Sequence, residues 1–563
     1  MGRPGAELRR GGAMAATATA FRRSMGRKCW KEAESGAAPA LQCLLSMQAK
    51  VASGYLVGLD AEEVVVEVQG GAGLPCLDIV GLSERGSKET KTRVKAALGS
   101  LGIALPPQQI LINVAPAHLV KGGSGFDLAI AMALLVALDV VPSSCVERSW
   151  FLAELSLQGE LRALPATIAL LRGAPRHGVE RALLSLDQTL PPYPFPSLHL
   201  LGASHLRELL DFFRQGIALP AWPAVECAPG PEEENDLAAV VDQSAAKRAL
   251  EVAAAGGHHL LFVGPPGTGK SLLARRLPGL LPPPSPAQAL EIASIAELAH
   301  GSEGRWCSRR PFRAPHHSCS LHSLIGGGSP LLPGEVTLAH EGVLFLDELP
   351  EFQRGAIESL RTCMEEGEVH LARARRRLRL PARSLVVAAM NPCPCGYAGD
   401  PDVLCRCSPD RVERYLGKIS GPLLDRFDLQ LQVSRTRLGA LSSTPSESSL
   451  QVRERVLAAR RFAEEGRPRV GMALHDLPKH CSPAAKQLLE EGASRFHWSA
   501  RSYVKVMRVA RTLADLDAHS GIGENHAAEA MHYRVMDRLL KSRRLRSEES
   551  PWKQGVESHV RTQ

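Results

Sequence analysis

Three short apolar runs stand out along the chain, and each is followed at once by a glycine-rich or polar segment. Leu260–Val263 precedes a glycine-rich loop and the helix-forming run Leu272–Leu277, Gly342–Leu346 precedes two carboxylates, and Ser384–Met390 precedes an asparagine. Short, continuous apolar runs that end in this way are typical of buried strands. The pattern therefore predicts a strand, a glycine-rich loop and a helix, followed by two more strands that carry polar side chains at their ends.

The segments on either side of this region have different periodicities. From about residue 48 to residue 215 strands and helices are predicted to alternate, with strands at Val64–Val68 and Ile110–Val114 and a buried helix at Phe126–Leu138. Beyond about residue 444 the pattern is helical, and Ser502–Leu516 and His526–Leu540 carry apolar residues at helical spacing. The chain is therefore predicted to be an α/β protein of several domains with a helical C-terminal part.

Changes in composition predict where these domains begin and end. Leu219–Glu234 is proline-rich and acidic and is predicted to be a linker, and Leu281–Pro286 is predicted to break the chain after the helix that follows the glycine-rich loop. A long, mostly irregular insertion is expected between that break and the acidic strand. The predicted boundaries are 1–46 for an N-terminal extension, 47–218 for a first domain, 219–235 for the linker, 236–435 for a nucleotide-binding domain, 436–540 for a helical domain and 541–563 for a flexible tail.

The first 46 residues differ from the rest in being rich in Gly, Ala and Arg, and they lack the apolar core of a signal peptide. They could form a short targeting or nucleic-acid-binding arm. The alternative is a disordered extension that arises from a start codon assigned too early, with Met47 as a credible true start.

Composition narrows the classes of protein that fit this pattern. At 563 residues the chain is expected to form roughly three domains. The hydrophobic content of 44% is that of a soluble globular protein, and no apolar run of about 18 residues predicts a membrane span. A net charge of +8 permits a polyanionic partner without requiring one. Thirteen cysteines without a secretory signal favour a reducing, cytoplasmic location.

The glycine-rich loop matches the phosphate-binding pattern G-x-x-x-x-G-K-[ST]. Its glycines allow backbone N–H groups to turn inward around an anion, and the N-terminus of the next helix adds a favourable dipole. We expect Lys270 to reach the β- and γ-phosphates of ATP and the Ser271 hydroxyl to bind Mg²⁺. The predicted nucleotide-binding residues are Gly264, Pro265, Pro266, Gly267, Thr268, Gly269, Lys270 and Ser271.

Polar residues at the ends of the other two apolar runs would complete a hydrolytic site. Asp347 is expected to bind the Mg²⁺ ion, and Glu348 to polarise the attacking water. Asn391, after the third run, is expected to hold that water near the γ-phosphate. The alternative for the carboxylates is an ordinary core strand with a solvated acidic end, which the upstream phosphate-binding loop disfavours.

Glu368–Leu380 alternates on both sides of an arginine cluster, and this pattern predicts a hairpin with a basic tip. Arginines at the tip would contact phosphates without reading base sequence, so binding should weaken steeply with salt. A solvated basic loop is the alternative. The predicted DNA-contacting residues are Arg373, Arg375, Arg376, Arg377 and Arg379.

Four cysteines form a compact set shortly after Asn391. They are Cys393, Cys395, Cys405 and Cys407. Four thiolates suit a closed tetrahedral Zn²⁺ site, although the C-x-C spacing is tighter than the usual C-x₂-C. The alternative is a group of reduced, partly buried thiols. His316 and His317 could also bind metal or nucleic acid, but a polar loop with satisfied hydrogen bonds is the simpler interpretation.

Six longer segments, in this order, resemble the ComM/YifB family of magnesium-chelatase-like AAA+ ATPases. They are Lys121–Leu128, Arg310–His317, Pro333–Glu335, Gly342–Pro350, Ala388–Gly396 and Ser420–Asp428. The resemblance covers roughly Met47–Met536 and departs at His259, where the family usually has Asn. It implies an α/β multidomain fold with a Lon-protease-like (S5 domain 2-like) α+β N-terminal domain, an AAA+ P-loop α/β domain and a C-terminal helical lid.

The same resemblance implies a homo-hexameric ring with ATP bound between subunits. Arg426 lies where the family places its arginine finger, and Arg501 matches the second sensor of the lid. A guanidinium that reaches a neighbour's γ-phosphate offsets the charge that develops in the transition state. For each arginine the alternative is a surface salt bridge.

Proteins of the ComM type are DNA motors that drive branch migration in recombination and natural transformation. The resemblance therefore implies branched or single-stranded DNA as a partner, bound without sequence preference, with the basic hairpin in the ring pore and no membrane. Two other functions are a chelatase-type or protein-remodelling motor that does not act on DNA and a non-enzymatic DNA-binding scaffold. The N-terminal domain argues against a chelatase motor subunit, and intact Lys270, Asp347 and Glu348 argue against a scaffold.

A Lon-like domain also raises the question of proteolysis. Alignment of Lys121–Gly123 on the Lon-type K-D-G motif puts Gly125 at the nucleophile position, with Ser124 one residue early. Leu170 falls where the catalytic lysine should be, and without a base a hydroxyl stays a poor nucleophile. The sequence therefore predicts that the domain lacks the Ser-Lys dyad and instead grips DNA or organises the ring.

Overall fold

A computed structural model describes residues 47–116, 124–220, 236–301, 309–328, 332–373, 376–435, 447–466 and 480–536. Contacts between residues divide the chain into two compact units. The first contains Met1–Cys227 together with Ala289–Trp306, and the second contains Ala228–Gln288 together with Cys307–Gln563. No helix of the described residues is long and apolar enough to cross a lipid bilayer.

The first unit is built on a mixed β-sheet. Its elements up to residue 220 are β1 (Gln48–Val57), β2 (Asp60–Gly71), β3 (Cys76–Val80), α1 (Glu84–Ser100), β4 (Gln109–Ala115), α2 (Asp127–Ala137), β5 (Ser149–Leu152), β6 (Glu154–Leu155), β7 (Leu161–Arg162), α3 (Thr167–Gly173), β8 (Arg181–Ser185), β9 (His199–Ala203) and α4 (Leu206–Gln215). Seven strands pair in the order β3-β4-β2-β1-β5-β8-β9. The β1–β2 and β2–β4 pairs are antiparallel and the other pairs of this sheet are parallel.

The strands and the buried helix predicted for this part of the chain are confirmed. Val64–Val68 lies within β2, Ile110–Val114 lies within β4, and α2 occupies nearly all of Phe126–Leu138. Every residue of α2 is buried, because the helix packs on the sheet beside the inward-facing residues of β1 and β2. A helix that is apolar on all faces requires such complete burial.

The second unit contains a parallel sheet. Between residues 236 and 536 the elements are α5 (Ser244–Gly256), β10 (Leu260–Val263), α6 (Lys270–Leu280), α7 (Pro286–His300), β11 (Phe312–Arg313), α8 (Leu321–Ile325), β12 (Gly326–Gly327), β13 (Leu332–Pro333), α9 (Glu335–Leu338), β14 (Val343–Leu346), α10 (Arg354–Glu366), β15 (Glu368–Arg373), β16 (Arg376–Pro381), β17 (Leu385–Met390), α11 (Pro409–Leu416), α12 (Gly421–Leu424), β18 (Leu429–Gln432), α13 (Ser449–Gly466), α14 (Pro483–Phe496), α15 (Ala500–Leu516) and α16 (Glu524–His532). Five strands pair in the order β11-β14-β17-β10-β18, all in parallel. The three apolar runs predicted to be strands therefore lie side by side as β14, β17 and β10.

The C-terminal helices share a hydrophobic core with this sheet and its helices. Val456 of α13 and Val509 of α15 are fully buried in one cluster with Leu250 of α5, Leu277 of α6 and Phe262 of β10. The predicted helix at Ser502–Leu516 is confirmed as α15. The helix predicted at His526–Leu540 is interrupted: α16 ends at His532, the Tyr533 carbonyl accepts a hydrogen bond from the Gln430 backbone N–H (2.7 Å), and helical backbone returns at residues 535–536. Residues 537–540 of that prediction lie outside the described residues.

The prediction of a mostly irregular insertion after the proline-rich break is wrong. The insertion begins with the helix α7, Pro286–His300. Most of α7 belongs to the first unit, where Leu290 and Ala293 join the apolar cluster around Trp150. Glu291 of the helix forms an ion pair with Arg172 (2.7 Å). Tertiary burial thus stabilises a helix that local sequence did not make obvious.

The carboxyl group of Glu297, in α7, is buried, which is unusual for an acidic side chain. The residue is 1% exposed and accepts the Ile168 backbone N–H (2.8 Å) at the start of α3, with the Gln188 amide 3.4 Å away. Burial raises the pKa of Glu297 to about 7, although the backbone N–H groups of α3 oppose this shift. The side chain is therefore protonated in the fold over a pH range in which an unfolded chain would have lost the proton.

Replacing Glu297 with Gln should stabilise the protein at pH 8 relative to the natural chain. Because the folded pKa lies above the ordinary value of 4.5, the stability from this group is complete below pH 4.5 and is lost as pH rises through about 7. A shift of that size corresponds to at most about 3 kcal/mol. The measurement is the melting temperature of both chains from pH 5 to pH 8.5, and the difference should grow with pH. Glu291→Gln is the matched control, since it removes a paired carboxylate of the same helix and should lower stability. A Glu297→Gln advantage that does not change with pH would contradict the expectation.

Candidate functional site

The loop after β10 has the backbone geometry of an anion cradle. A Cβ atom on Gly264 would lie 2.3 Å from the Val433 carbonyl oxygen, so only glycine fits between β10 and β18. Gly267 and Gly269 adopt left-handed conformations with φ of 77° and 80°. Helix α6 begins at Lys270, so its N-terminal N–H groups open towards the loop. Backbone donors and the helix dipole together favour a bound phosphate.

Lys270 lies inside this cradle. Its Nζ donates to the carbonyl oxygens of Gly264 and Pro265 (both 2.8 Å) and to Asn391 Oδ1 (3.3 Å), and 8% of the residue is exposed. Burial lowers the pKa of Lys270, while the nearby carboxylates of Asp347 and Glu348 oppose that shift. A partly desolvated ammonium group held by neutral oxygens is suited to receive an anion.

Ser271 and Asp347 meet at the carboxyl edge of the sheet. The Ser271 hydroxyl donates to Asp347 Oδ2 (2.6 Å), and the Glu348 backbone N–H donates to Asp347 Oδ1 (3.0 Å). Parallel pairing of β14 with β17 and of β17 with β10 aligns the ends of the three strands and so creates this proximity. A hydroxyl and a carboxylate are the oxygen ligands that Mg²⁺ prefers in nucleotide sites, so the pair fits the predicted metal.

Glu348 follows Asp347 in a strained conformation. Its φ of 52° is left-handed, which is uncommon outside glycine and is typical of functional sites. The side chain is half exposed, and one oxygen lies 3.3 Å from His317 Nδ1. Phe352 packs edge-on against the His317 ring. His317 therefore contacts the predicted catalytic carboxylate, a role that its sequence position alone did not reveal.

Five of the predicted site residues thus come together. They are Lys270, Ser271, Asp347, Glu348 and Asn391. Thr268 supports the same loop, because its hydroxyl donates to the Pro265 carbonyl (3.0 Å). The arrangement can hold a triphosphate and a divalent ion beside a carboxylate and an amide that are able to orient water.

The two predicted arginines, Arg426 and Arg501, do not join this group of five residues. Both of them pair with one glutamate. Arg426 and Arg501 both bind the same carboxylate oxygen of Glu365, in α10. The Arg426 side chain is only 5% exposed and its Nη1 also donates to the Pro422 carbonyl (3.3 Å), whereas Arg501 is about half exposed. Hydrogen bonds from Arg501 and Arg426 hold the pKa of Glu365 at about 2. Glu365 was not predicted, since an isolated glutamate on an amphipathic helix carries no motif.

The residues around Arg426 attach the C-terminal helices to the sheet. Asp425 accepts a hydrogen bond from Ser502 (3.3 Å), and Asp428 pairs with Lys505 (2.8 Å), both of α15. Asp428 also lies 3.5 Å from His258. The segment that carries Arg426 is therefore a joint between the sheet and α15, and a shift of one would move the other.

At His259 the structure explains how the departure from the family is tolerated. Burial lowers the pKa of His259 to about 4, so the ring is neutral at pH 7. Its Nδ1 accepts the Val386 backbone N–H (3.1 Å) at the start of β17. A neutral imidazole can thus supply the acceptor that an asparagine side chain would offer here.

The predicted basic hairpin is confirmed at the level of the backbone. Strands β15 and β16 pair antiparallel with Arg373 opposite Arg376, and Val369 and Leu380 are buried at the base. Arg379 is exposed, while Arg375 lies outside the described residues. Helix α10 ends at Glu366 and β15 begins at Glu368, so Glu365 lies in the last turn of the helix that leads into the hairpin.

The four predicted metal ligands also converge. The Sγ atoms of Cys393, Cys395, Cys405 and Cys407 all lie within 4.8 Å of one another. The Cys393 sulfur is 3.3 Å from that of Cys395 and 3.6 Å from that of Cys405. A tetrahedral Zn²⁺ ion with Zn–S bonds of about 2.3 Å sets its sulfurs about 3.8 Å apart, so the donor set fits zinc.

Leu170, at the position that the sequence predicts to correspond to the Lon-type lysine, lies in an apolar environment. Leu170 is 5% exposed and packs in the cluster that contains Trp150 and Leu184. Gly125 lies in a short 3₁₀ turn before α2, and Lys121–Gly123 lie outside the described residues. Leu170 carries no group that could accept a proton, and the lack of a Ser-Lys dyad stays a prediction.

Comparison with known proteins gives matches along most of the chain. Family models match at residues 236–441 (magnesium chelatase, subunit ChlI), 66–188 (subunit ChlI of Mg-chelatase) and 446–534 (magnesium chelatase, subunit ChlI C-terminal). The uncharacterized protein YifB of Escherichia coli K12 is 40% identical over 493 residues, which is 86% of this chain and 96% of that protein. The competence protein ComM of Haemophilus influenzae is 40% identical over 499 residues, 86% of this chain and 97% of that protein.

Proposed function

The chain belongs to the ComM/YifB family of magnesium-chelatase-like proteins, and on that basis we propose that it is a Mg²⁺-dependent AAA+ ATP hydrolase that moves branched DNA. The observation that carries the proposal is the convergence of Lys270, Ser271, Asp347, Glu348 and Asn391 at one sheet edge. The name of one relative, competence protein ComM, supports a role in competence. Branch migration is the finer activity that we propose for that role.

The residues of the site divide the work of ATP hydrolysis. The P-loop backbone and Lys270 bind the phosphates, and Ser271 and Asp347 are the residues that would hold Mg²⁺. The ion supplies charge neutralisation for the β- and γ-phosphate oxygens. Glu348 accepts a proton from the attacking water, and the Asn391 amide orients that water. His317, 3.3 Å from Glu348, is positioned to orient the carboxylate.

We place Arg426 and Arg501 at the ATP of a neighbouring subunit in a homo-hexameric ring. Their shared bond to Glu365 would then be the resting arrangement, and a neighbour's γ-phosphate would compete for them. Because Glu365 lies in the last turn of α10, which leads into β15 through Gly367, an exchange of arginine partners would act on the hairpin. This path would couple ATP hydrolysis to movement of the basic tip along DNA.

The basic hairpin is the proposed DNA-contacting element. Arginines lie at the paired ends of both strands, with Arg373 opposite Arg376, and Arg379 is exposed. Such a tip binds phosphates by charge alone, which suits a motor that must pass any base sequence. We further propose that the first unit has a Lon-like fold without protease activity and organises the ring or grips DNA.

A second function is a chelatase-type or protein-remodelling ATPase that does not act on DNA. The observation that favours it is that family models named for magnesium-chelatase subunit ChlI match all three segments. The response of hydrolysis to DNA distinguishes the two functions.

We also propose that the four cysteine thiolates hold a structural Zn²⁺ ion. The converging sulfurs support this, since four thiolates form the closed coordination shell of structural zinc sites.

The test of the proposed function is the rate of ATP hydrolysis without DNA, with linear DNA and with a four-way junction. Junction DNA should stimulate the natural chain, and Lys270→Ala should be inactive throughout. The variant Arg375→Ala/Arg376→Ala/Arg377→Ala should lose the stimulation at moderate salt and keep the rate without DNA. Each lost phosphate contact should make the negative slope of log affinity against log salt shallower by about 0.9.

A matched control removes exposed arginines from a helix outside the hairpin. Arg411→Ala/Arg414→Ala changes two exposed residues of α11 and should keep the stimulation by junction DNA. Hydrolysis that ignores every DNA would exclude the DNA motor and favour the second function.

A further inference from the structure

The four-cysteine cluster begins two residues after Asn391, and the loop that carries it touches the phosphate-binding loop. A Cβ atom on Gly396 would lie 2.5 Å from Pro266 Cδ, so this loop packs directly against the outer side of the phosphate cradle. Gly396 has a φ of 88°, which allows the close approach. The metal-binding geometry and the nucleotide-binding geometry are therefore parts of one packed structure.

The same loop is fastened to the far side of the cradle. Asp400 lies 3.7 Å from Arg435, whose guanidinium stacks over the Tyr397 ring at 5.3 Å. Arg435 follows β18 by a short step, and the Val433 carbonyl borders Gly264. The segment between the two cysteine pairs thus bridges the ends of β17 and β18 around the P-loop strand.

Cys393 and Cys395 are the two ligands of the cluster that lie nearest to Asn391 along the chain. Cys393 is fully buried, and its sulfur accepts the Ala398 backbone N–H (3.3 Å). Backbone N–H groups directed at a sulfur are the usual outer contacts of a metal-bound thiolate. A metal ion joined to all four sulfurs would therefore limit the positions that the Asn391 backbone can adopt.

We infer that Zn²⁺ in this cluster acts as a brace that positions Asn391 against Lys270 and thereby sets the rate of ATP hydrolysis. The inference rests on the proposed zinc occupancy and on the proposed ATPase. Asn391 touches the reacting groups, whereas the four cysteines act through it and are positioning residues. Loss of zinc should slow hydrolysis more than it weakens ATP binding, because Lys270 keeps its bonds to Gly264 and Pro265 within the P-loop itself.

The experiment compares the full natural chain with Cys405→Ser/Cys407→Ser, which removes the two ligands farther along the chain from Asn391. Zinc content is measured by elemental analysis, ATP hydrolysis by phosphate release, and ATP affinity with a fluorescent analogue. The natural chain should hold about one zinc ion per chain, and the variant far less. In the variant kcat should fall about tenfold, with ATP affinity changed by less than about threefold. Cys76→Ser, which removes a thiol of β3 in the first unit, is the control and should match the natural chain in zinc, kcat and affinity.

A double-variant comparison separates a brace from general structural support. In an Asn391→Ala background, removal of Cys405 and Cys407 should lower kcat by no more than about twofold further, because both changes act through the same group. If the combined variant lost kcat by the product of the two separate factors, the inference would be overturned. The natural chain stripped of zinc, with Mg²⁺ restored, should show the same low kcat and should recover when Zn²⁺ is returned, which keeps the test valid if the variant folds poorly.

The outcomes for the inference and for the proposed function can be told apart. A natural chain without zinc, or a chain that loses zinc and keeps its kcat, overturns the brace and leaves the ATPase standing. A natural chain that binds zinc but does not hydrolyse ATP contradicts the proposed function instead.

Discussion

Replacing Glu348 with Gln is expected to lower kcat for ATP hydrolysis by about 10²–10⁴-fold while ATP binding changes little. The amide keeps the size of the side chain but cannot accept the proton of the attacking water. Lys270 and Ser271, the residues proposed to bind the phosphates and Mg²⁺, are unchanged. The turn at residue 348 is held by the hydrogen bond from the Glu348 backbone N–H to the Asp347 carboxylate, which the substitution also leaves in place. The measurements are steady-state phosphate release and the affinity for a fluorescent ATP analogue.

A matched control for this substitution is available in the same segment. Glu351→Gln removes a surface carboxylate that pairs with Lys418 (3.1 Å), and it should leave kcat within about twofold of the natural value because exposed ion pairs contribute little. If Glu348→Gln and Glu351→Gln had equal kcat, Glu348 would not be the general base.

Replacing Arg426 with Ala is expected to lower kcat by about 10³–10⁵-fold if the arginine completes a neighbour's site. A charge at the γ-phosphate acts only in the transition state, so the loss should appear in kcat. The decisive measurement mixes this inactive variant with inactive Glu348→Gln. In mixed rings some interfaces combine an intact Glu348 with an intact Arg426 from the adjoining subunit, and part of the activity should return.

The control for the mixing experiment uses two variants that damage the same side of the interface. Lys270→Ala mixed with Glu348→Gln leaves every site without one of its own residues and should stay inactive. Because Arg426 is buried against Glu365, the melting temperature of Arg426→Ala must also be compared with that of Glu365→Gln. An Arg426→Ala variant that melts normally and gains nothing on mixing would assign Arg426 to the joint with α15 alone.

The convergence of the candidate phosphate-binding residues could be predicted because they lie in short contiguous segments. A glycine-rich loop, two carboxylates and an asparagine each follow an apolar run, and parallel strands place the ends of such runs at one edge. The hairpin was predicted for a similar reason, since its two strands are neighbours in sequence. The cysteine cluster also lies within one short segment, and its sulfurs do converge.

Contacts between distant segments could not be predicted in this way. Glu365 is chemically ordinary until folding brings Arg426 and Arg501 to it from two later parts of the chain. His317 likewise meets Glu348 only through the path of the insertion that carries it. The end of α16 depends on the backbone bond between Tyr533 and Gln430, which overrides the helical periodicity that continues beyond it.

Helix α7 has a consequence for how the chain can be dissected. The first unit is discontinuous, since Ala289–Trp306 are encoded after the P-loop yet complete the unit that begins the chain. A fragment that stops at the linker would uncover the apolar surface that Leu290 and Ala293 seal, and it would leave the first N–H groups of α3 without the Glu297 carboxyl. Synthesis of the first unit is therefore finished only after strand β10 has been made, because a segment of the second unit is encoded between its two parts.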